Sequence, residues 1–304
     1  MQNALSDDSR TAGERPPSSE EGNDSTETPV LDSSERRQAA ALAAPRALVI
    51  HEILREGGER ELARTAGALT LSGLAAGLSM GFSFLTQALL RSSLPASPWR
   101  HAIDSFGYSM GFIIVVLGRQ QLFTESTLTA VLPVFTRRTL KSLIAAARLW
   151  AIVLTVNLIG TWVFATLLLP RHLFTDQVTA SLKAIAIESV HHDFGLTLLK
   201  AVFAGWLIAL MVWLLPSSRS ARVIIILIIS YVVSLGRFSH IIAGSGEAAY
   251  AVVMGFAPFG SYVTGFLIPT LIGNIIGGVA LVSLLNHGSI SAEMEGNETK
   301  YANL

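Results

Sequence analysis

The chain contains several long apolar runs, and one of them, residues 223–254, is broken by polar residues near its middle. The break, at residues 236–240, separates a stretch rich in isoleucine and valine from a second apolar stretch. One membrane span requires about 20 apolar residues, and this run is longer. Irregular backbone at membrane depth is tolerated only where it is buried in protein or lines a watery cavity. The pattern therefore predicts a functional site around Arg237 and His240.

A second apolar run, residues 106–135, is broken in the same way at residues 118–126. Both breaks open on the tripeptide Leu-Gly-Arg, at residues 117–119 and 235–237. Interrupted spans at matching positions of two halves of a chain are typical of transporters, whose binding sites lie between the broken helices. We therefore expect the two breaks to come together in one site.

The apolar runs together predict six membrane spans. They cover residues 67–90, 106–135, 143–169, 194–215, 223–254 and 258–285. Three spans with a broken middle span, repeated after an odd number of crossings, must be inverted relative to each other. The predicted fold is an all-α membrane protein whose pore domain, residues 67–286, has two inverted three-helix repeats, with the second and fifth helices interrupted.

The ends of the chain differ in composition from the apolar block. Residues 1–46 are rich in Ser, Glu, Asp and Pro, which predicts a disordered tail. Residues 47–66 place apolar and charged side chains at helical spacing, which predicts an amphipathic helix at the membrane surface. Residues 287–304 are a polar tail. The distribution of lysine and arginine among the short connections predicts that both termini face the cytoplasm.

The composition agrees with a membrane protein, since 51% of the residues are hydrophobic and 14% are charged, against about 25% charged in soluble domains. The net charge is zero, so nothing indicates nucleic-acid binding, and the expected surroundings are a lipid bilayer. The chain contains no cysteine, which excludes disulfides and thiolate chemistry. It also contains no phosphate-cradling loop, nucleophile elbow or zinc-protease motif, and we predict neither an enzyme nor a cofactor.

The sequence His191-His192-Asp193 raises the question of a metal site. Adjacent histidines at a helix start do not easily converge on one ion without further ligands, and none is evident. We interpret these residues as the entry to a helix and predict no metal site.

The two breaks carry the candidate pore side chains. His240 changes charge near neutral pH and could donate a hydrogen bond or a proton to a passing anion, or it could be a structural histidine bonded to backbone carbonyls. The hydroxyl of Thr124 could hand a substrate to His240, or cap the half-helix that resumes near Glu125. Three apolar side chains could form a constriction: Leu122, Phe123 and Phe238.

Arg119 and Arg237 require an explanation, because an isolated arginine at membrane depth costs about 2.5 kcal/mol or more. They could pair with Glu125 and Glu247, which would give them a structural role. They could instead lie in the vestibules of a pore and attract anions. Half-helix N-termini beside them would add positive potential for the same substrates.

Four short motifs, taken together and in order, resemble the formate–nitrite transporter family over about residues 58–285. They are Leu122-Phe123-Thr124, His191-His192, Phe238-Ser239-His240 and Gly273-Asn274 with Gly277-Gly278. The resemblance implies an aquaporin-like six-helix protomer in a bacterial inner membrane, assembled as a homopentamer with one pore per protomer. It also implies transport of small monovalent anions such as formate and nitrite, with His240 as the central pore histidine and Thr124 as the loop threonine.

The chain departs from the family pattern around that histidine, as a divergent branch would. An acidic residue, two asparagines and a lysine are replaced by Ser239, Gly244, Ala209 and Ser189. These groups are thought to tune the charge around the histidine, so their loss implies a changed substrate. We suggest that Arg119 and Arg237 replace the missing positive field.

The sequence thus predicts a channel or transporter for a small monovalent anion or its weak acid, with His240 at its centre. Two alternatives stay open. One is a pore for a small neutral solute on the same architecture. The other is a membrane scaffold or sensor that transports nothing and acts through the N-terminal tail.

Overall fold

The structure, a computed structural model, describes residues 32–42, 45–170, 172–190, 193–218 and 220–285, and all its regular secondary structure there is helical. The chain divides into two compact units, residues 1–44 and residues 45–304. In the first unit, α1 (Ser33–Leu42) forms within the segment predicted to be disordered. The rest of that unit, apart from Asp32, and the predicted tail at 287–304 lie outside the described residues.

The second unit contains eleven α-helices and one π-helix among its described residues. They are α2 (Ala47–Leu62), α3 (Ala66–Ser93), α4 (Arg100–Leu117), α5 (Phe123–Thr129), α6 (Val131–Arg137), α7 (Leu140–Leu167), α8 (Asp176–Val190), α9 (Phe194–Leu214), α10 (Arg222–Leu235), α11 (Ala243–Val253), the π-helix (Ser261–Leu267) and α12 (Ile268–Leu285). Four helical segments are long and apolar enough to cross a membrane: Ala66–Ser93, Leu140–Leu167, Phe194–Leu214 and Ser261–Leu281. The protein is therefore an all-helical membrane protein that crosses the bilayer several times.

The two runs predicted to be broken are broken helices in the structure. The run at 106–135 consists of α4 and then two short helices, α5 and α6. The run at 223–254 consists of α10, which has 14 apolar-rich residues, and α11. The first break is shorter than predicted, because helix resumes at Phe123 and not beyond Glu125.

Helix α8 was missed by the sequence analysis, which predicted an irregular polar connection at 171–192. Its buried side chains include Leu182, Ile185 and Ala186, and the helix packs against α11 and α3. These apolar positions are spaced three, four or one residue apart, as on one face of a helix, but polar residues between them dilute the pattern. A helix that covers the second break was therefore read as a loop.

The long helices approach each other closely at glycines. A Cβ atom on Gly77 of α3 would lie 2.2 Å from the carbonyl oxygen of Asn157 on α7. A Cβ atom on Gly205 of α9 would lie 2.3 Å from the carbonyl oxygen of Asn274 on α12. Both helix pairs thus pack backbone to backbone, which small residues permit.

Helix α2 is amphipathic, as predicted, and ends at Leu62 instead of continuing to residue 66. Its apolar side chains Ile50 and Leu54 are buried against α5, α6 and α9. On its polar face, Glu59 forms an ion pair with Arg137 at the end of α6, at 2.9 Å. The helix is therefore held against the transmembrane helices by both apolar and ionic contacts.

Candidate functional site

The two Leu-Gly-Arg tripeptides have the same backbone conformation. Gly118 and Gly236 continue the helices, with φ of −72° and −77°. The following residues, Arg119 and Arg237, are left-handed, with φ of 50° and 51°. This conformation is unfavourable for residues other than glycine and is uncommon.

The hydrogen bonds that end α4 and α10 also match. The N–H of Gln120 donates to the carbonyl of Val115 at 3.0 Å, and the N–H of Phe238 donates to the carbonyl of Val233 at 2.9 Å. Both bonds span five residues, as in the Schellman motif that closes a helix with a left-handed residue. The repeated tripeptide is therefore a repeated helix-ending structure.

One asparagine holds the break between α4 and α5. Asn157 on α7 is fully buried, and its Oδ1 accepts a 2.9 Å hydrogen bond from the N–H of Phe123. Its Nδ2 donates to the carbonyls of Gly73, at 2.7 Å, and Gln121, at 3.0 Å. The loop between the two helices is thereby tied to both α3 and α7.

A second asparagine does the same for the break between α10 and α11. Asn274 on α12 is fully buried, and its Oδ1 accepts from the N–H of Ile241 at 2.9 Å. Its Nδ2 donates to the carbonyls of Ala201, at 2.8 Å, and Ser239, at 2.9 Å. The sequence analysis used Asn274 only as part of a motif and missed Asn157, although an amide inside an apolar run was a usable signal.

His240 and Thr124, from the two breaks, are in contact. The distance between His240 Nε2 and Thr124 Oγ1 is 2.8 Å, and both side chains are buried. His240 Nδ1 accepts a 3.2 Å hydrogen bond from the N–H of Ala243, so this nitrogen carries no proton. In the neutral imidazole the proton is then on Nε2, which donates to the threonine hydroxyl. Thr124 lies inside α5 and does not cap it.

The three side chains expected to form a constriction have different surroundings. Leu122 and Phe123 are buried, and the ring of Phe123 packs edge-on against Trp150. Phe238 is half-buried and packs against Phe203, with ring centroids 5.3 Å apart. Leu122 and Phe238 border two different cavities, so they do not form one ring.

The first cavity, of about 90 Å³, reaches His240. It is bordered by His101 at the start of α4 and by Val233 at the end of α10. Ser239 and Glu247 also border it.

The second cavity, of about 590 Å³, reaches Leu122 and Ser126, on either side of Thr124. It is bordered by Val116 at the end of α4 and by Arg222 at the start of α10. The two cavities therefore lie at opposite ends of α4 and α10. The contact between Thr124 and His240 separates them.

Arg237 is paired, but not with Glu247 as the sequence analysis suggested. Its Nη1 lies 3.4 Å from Glu188 Oε2, and the other oxygen of Glu188 accepts a 3.0 Å hydrogen bond from Arg91. Glu188 lies on α8, the helix that the sequence analysis missed. Glu247 lies on α11, further along the wall of the first cavity.

Arg119 borders the second cavity and is exposed. Within the described ranges it forms no ion pair, with Glu125 or with any other residue. Glu125 borders the same cavity, and its Oε1 is buried without a hydrogen-bond partner. The sequence analysis missed the further charged residues of this cavity, Arg60, Glu61, Arg64 and Arg222.

Three of the four positions that depart from the family pattern border the first cavity: Ser189, Ser239 and Gly244. The hydroxyl of Ser189 donates to its own helix, at the carbonyl of Ala186, and leaves the cavity without a strong cation at this position. Ala209 is fully buried in an apolar cluster with Leu128 and Leu132. The described part of the chain contains no cluster of metal-binding side chains, and His191 and His192 lie outside it.

Comparison with known proteins agrees with this architecture. The family model for the formate/nitrite transporter matches residues 48–288. The inner membrane protein YfdC of Escherichia coli K12 is 38% identical over 249 residues, which cover 82% of this chain and 80% of YfdC. The formate channel FocA of Escherichia coli K12 is 28% identical over 232 residues, which cover 68% of this chain and 80% of FocA.

A solved structure, described as a pentameric formate channel with formate bound, has a similar fold. It superposes with a TM-score of 0.64 and 23% sequence identity. The similarity covers 72% of this chain and 95% of the channel.

Proposed function

The chain belongs to the formate/nitrite transporter family, and we propose that it forms a membrane pore for a small monovalent anion or its conjugate weak acid. The observation that carries the proposal is the 2.8 Å contact between His240 Nε2 and Thr124 Oγ1, from two broken helices, with a cavity on each side. A buried donor of this kind suits an anion that gives up its water shell in a narrow passage.

The proposed architecture is six spans arranged as two inverted three-helix repeats, with the second and fifth spans broken. Three observations support it: the matching ends of α4 and α10, the matching roles of Asn157 and Asn274, and the cavities at opposite ends of α4 and α10. A repeat unit and its inverted copy produce such pairs as a consequence of their symmetry.

The proposed selectivity for anions comes from the second cavity. Its border contains four arginines, Arg60, Arg64, Arg119 and Arg222, and two carboxyl groups, Glu61 and Glu125. An excess of positive charge in a concave site raises the local concentration of anions. The field of Arg237 at the first cavity is offset by its ion pair with Glu188.

The proposed setting is a homopentamer in a bacterial inner membrane, with both termini in the cytoplasm. The relatives described as an inner membrane protein and as a pentameric formate channel support the first two parts. The long helices expose large apolar side chains, among them Leu71, Ile144 and Leu199, which would contact lipid or neighbouring protomers.

A pore for a small neutral solute is the second candidate, and the hydrogen bond from Ala243 to His240 Nδ1 favours it. An imidazole that accepts from the backbone is uncharged, so it can serve a neutral hydrogen-bonding solute as well as an anion. Competition by inorganic anions and dependence of flux on voltage separate the two candidates, because a neutral solute responds to neither.

The test is flux into liposomes that contain the purified protein, with a panel of small carboxylates, nitrite and halides at two pH values. We expect flux of some anion, and we expect His240→Ala to change its rate or its dependence on pH. His172→Ala is the matched control, since His172 is exposed and borders neither of the two cavities. Absence of flux across the whole panel would refute the proposal.

A further inference from the structure

Two carboxyl groups border the second cavity, and neither forms an ion pair with a described residue. Glu125 follows Thr124 in α5, and its Oε1 is buried without a hydrogen-bond partner. Glu61 lies on α2, and its Oε2 accepts a 2.7 Å hydrogen bond from Thr129, which is also on α5. Helix α5 therefore carries one carboxyl group and anchors the other.

The two carboxyl groups are close enough for their charges to repel each other. Burial raises the pKa of the Glu61 carboxyl above its ordinary value, although hydrogen bonds from Thr129 and Gln121 and the charge of Arg64 lower it in part. Like charges that share a poorly solvated site favour retention of a proton on one of them. The geometry thus provides a proton beside the residue that contacts His240.

The other charged groups that border the cavity are all arginines. Arg60 and Arg64 come from α2, Arg119 from the break after α4, and Arg222 from the start of α10. Helix α9 contributes only apolar side chains to this border, Val212 and Leu215. An anion that enters is attracted by the guanidinium groups and reaches the carboxyl pair before it reaches Thr124.

We propose that Glu125 and Glu61 share one proton at this end of the conduit, and that Glu125 gives it to the entering anion. This inference rests on the proposed function and adds a step to it. The O–H bond of Glu125 breaks, its electron pair stays on the carboxylate, and the proton forms a new O–H bond on an oxygen of the anion. The products are the neutral weak acid and ionised Glu125, which takes up a proton again from solvent in the cavity.

The step explains how a charged substrate could cross the apolar contact region at Leu122 and Phe123. Moving a charge through such a region is costly, whereas a small neutral acid carries no charge to desolvate. The anion is thus collected by its charge in the second cavity and loses that charge before the narrow part of the passage.

The experiment uses the full chain in liposomes, with radiolabelled formate and nitrite as probes and a pH-sensitive dye in the lumen. For wild-type protein we expect inward anion flux to acidify the lumen, with a rate that falls as the external pH rises. Glu125→Gln should lower the flux about tenfold, since a hydrogen bond to a charged group is lost, and should flatten its pH dependence. Glu61→Gln should change the pH dependence more than the maximal rate.

Glu56→Gln is the matched control on α2, because Glu56 is exposed and does not border the second cavity. A second measurement does not depend on transport: the carboxylic acid band in infrared difference spectra of the purified protein, recorded as a function of pH. The inference requires a titrating band that is lost in Glu125→Gln and shifted in Glu61→Gln. If no anion flux is found but this band behaves as expected, the pore function is refuted and the shared proton is supported. If both glutamine variants leave the band and the pH dependence of flux unchanged, the inference is overturned.

Discussion

The break after α4 and the break after α10 end their helices in the same way but have different surroundings. Arg119 and Arg237 are left-handed at matching positions, and each break is held by one buried asparagine. Arg119 borders a cavity of about 590 Å³ and has no ionic partner in the described ranges, whereas Arg237 borders one of about 90 Å³ and pairs with Glu188. The backbone repeats, and the chemistry does not.

The repeated arginine has an energetic consequence. A left-handed residue with a side chain is disfavoured by roughly 1–2 kcal/mol, and glycine would avoid this at either position. The chain accepts the strain twice. We infer that the side chains of Arg119 and Arg237 are used, one as a free charge at a wide mouth and the other as part of an ion-pair network at a narrow one.

The largest expected effect tests whether the two breaks are structurally equivalent. Asn157→Leu and Asn274→Leu each leave one buried N–H and two carbonyls without their partner, which should destabilise the protein by about 3 kcal/mol or more. Thermal unfolding in detergent measures the loss, and the two variants should lose similar amounts.

Thr161→Val is the control for that pair of variants. Thr161 is buried on α7, one turn after Asn157, but its hydroxyl donates only within its own helix, to Leu158. It should cost about 1 kcal/mol or less. If one asparagine can be replaced without loss and the other cannot, the two breaks are not equivalent.

The next effect concerns the place where the two breaks meet. Thr124→Val keeps the shape of the side chain and removes the acceptor of the hydrogen bond from His240 Nε2. We expect a loss of stability of about 1–2 kcal/mol and a clear change in anion flux, because a buried donor is left unsatisfied. Thr127→Val is a useful comparison, since Thr127 bonds to the carbonyl of Thr124 and not to His240.

For these two threonine variants, stability alone does not decide. Both remove a buried hydrogen bond, so both should lower the unfolding temperature. Only Thr124→Val should alter flux and its dependence on pH. Equal effects on flux would show that the hydroxyl of Thr124 matters only for packing.

A smaller effect separates the two arginines. Asparagine tolerates the left-handed conformation, so Arg119→Asn and Arg237→Asn remove charge while they preserve the backbone. At low ionic strength Arg119→Asn should reduce anion flux several-fold, and added salt should remove the difference, because exposed charges are screened. Arg237→Asn should change flux less, since Glu188 already offsets its charge.

Lys141→Asn serves as the control for both arginine variants, because Lys141 is exposed and borders neither the first nor the second cavity. A larger effect at Arg237 than at Arg119 would reverse the assignment of the wide mouth as the collecting side. It would also mean that the ion pair with Glu188 is open in the working protein.

The sequence predicts the features that depend on local pattern and misses those that depend on distant contacts. The long apolar runs and their two breaks could be located because apolar length and polar interruption are visible along the chain. The contact of Thr124 with His240 could be expected, since both residues lie at the breaks. The partner of Arg237 could not, because Glu188 reaches it from a helix that is 49 residues away in the chain and only weakly patterned.

The buried asparagines illustrate the same limit. A single amide in an apolar run indicates a buried polar group, but it does not indicate which backbone groups it satisfies. Asn157 and Asn274 each bond to two other segments, and those segments come together only when the inverted halves have folded. Their shared role becomes visible when the two breaks are compared.

The smallest effect addresses the narrow mouth. Glu188→Gln removes the charge that holds both Arg91 and Arg237, while it keeps the size of the side chain. Partly exposed ion pairs contribute about 0–1 kcal/mol, so the unfolding temperature should change little. Two guanidinium groups would then be left without a carboxylate at the first cavity, and its field should become more like that of the second. We therefore expect a modest rise in anion flux and a steeper dependence on ionic strength, measured in the same liposomes. A fall in flux would mean that Glu188 keeps the arginines out of the passage, and that the two mouths differ in shape more than in charge.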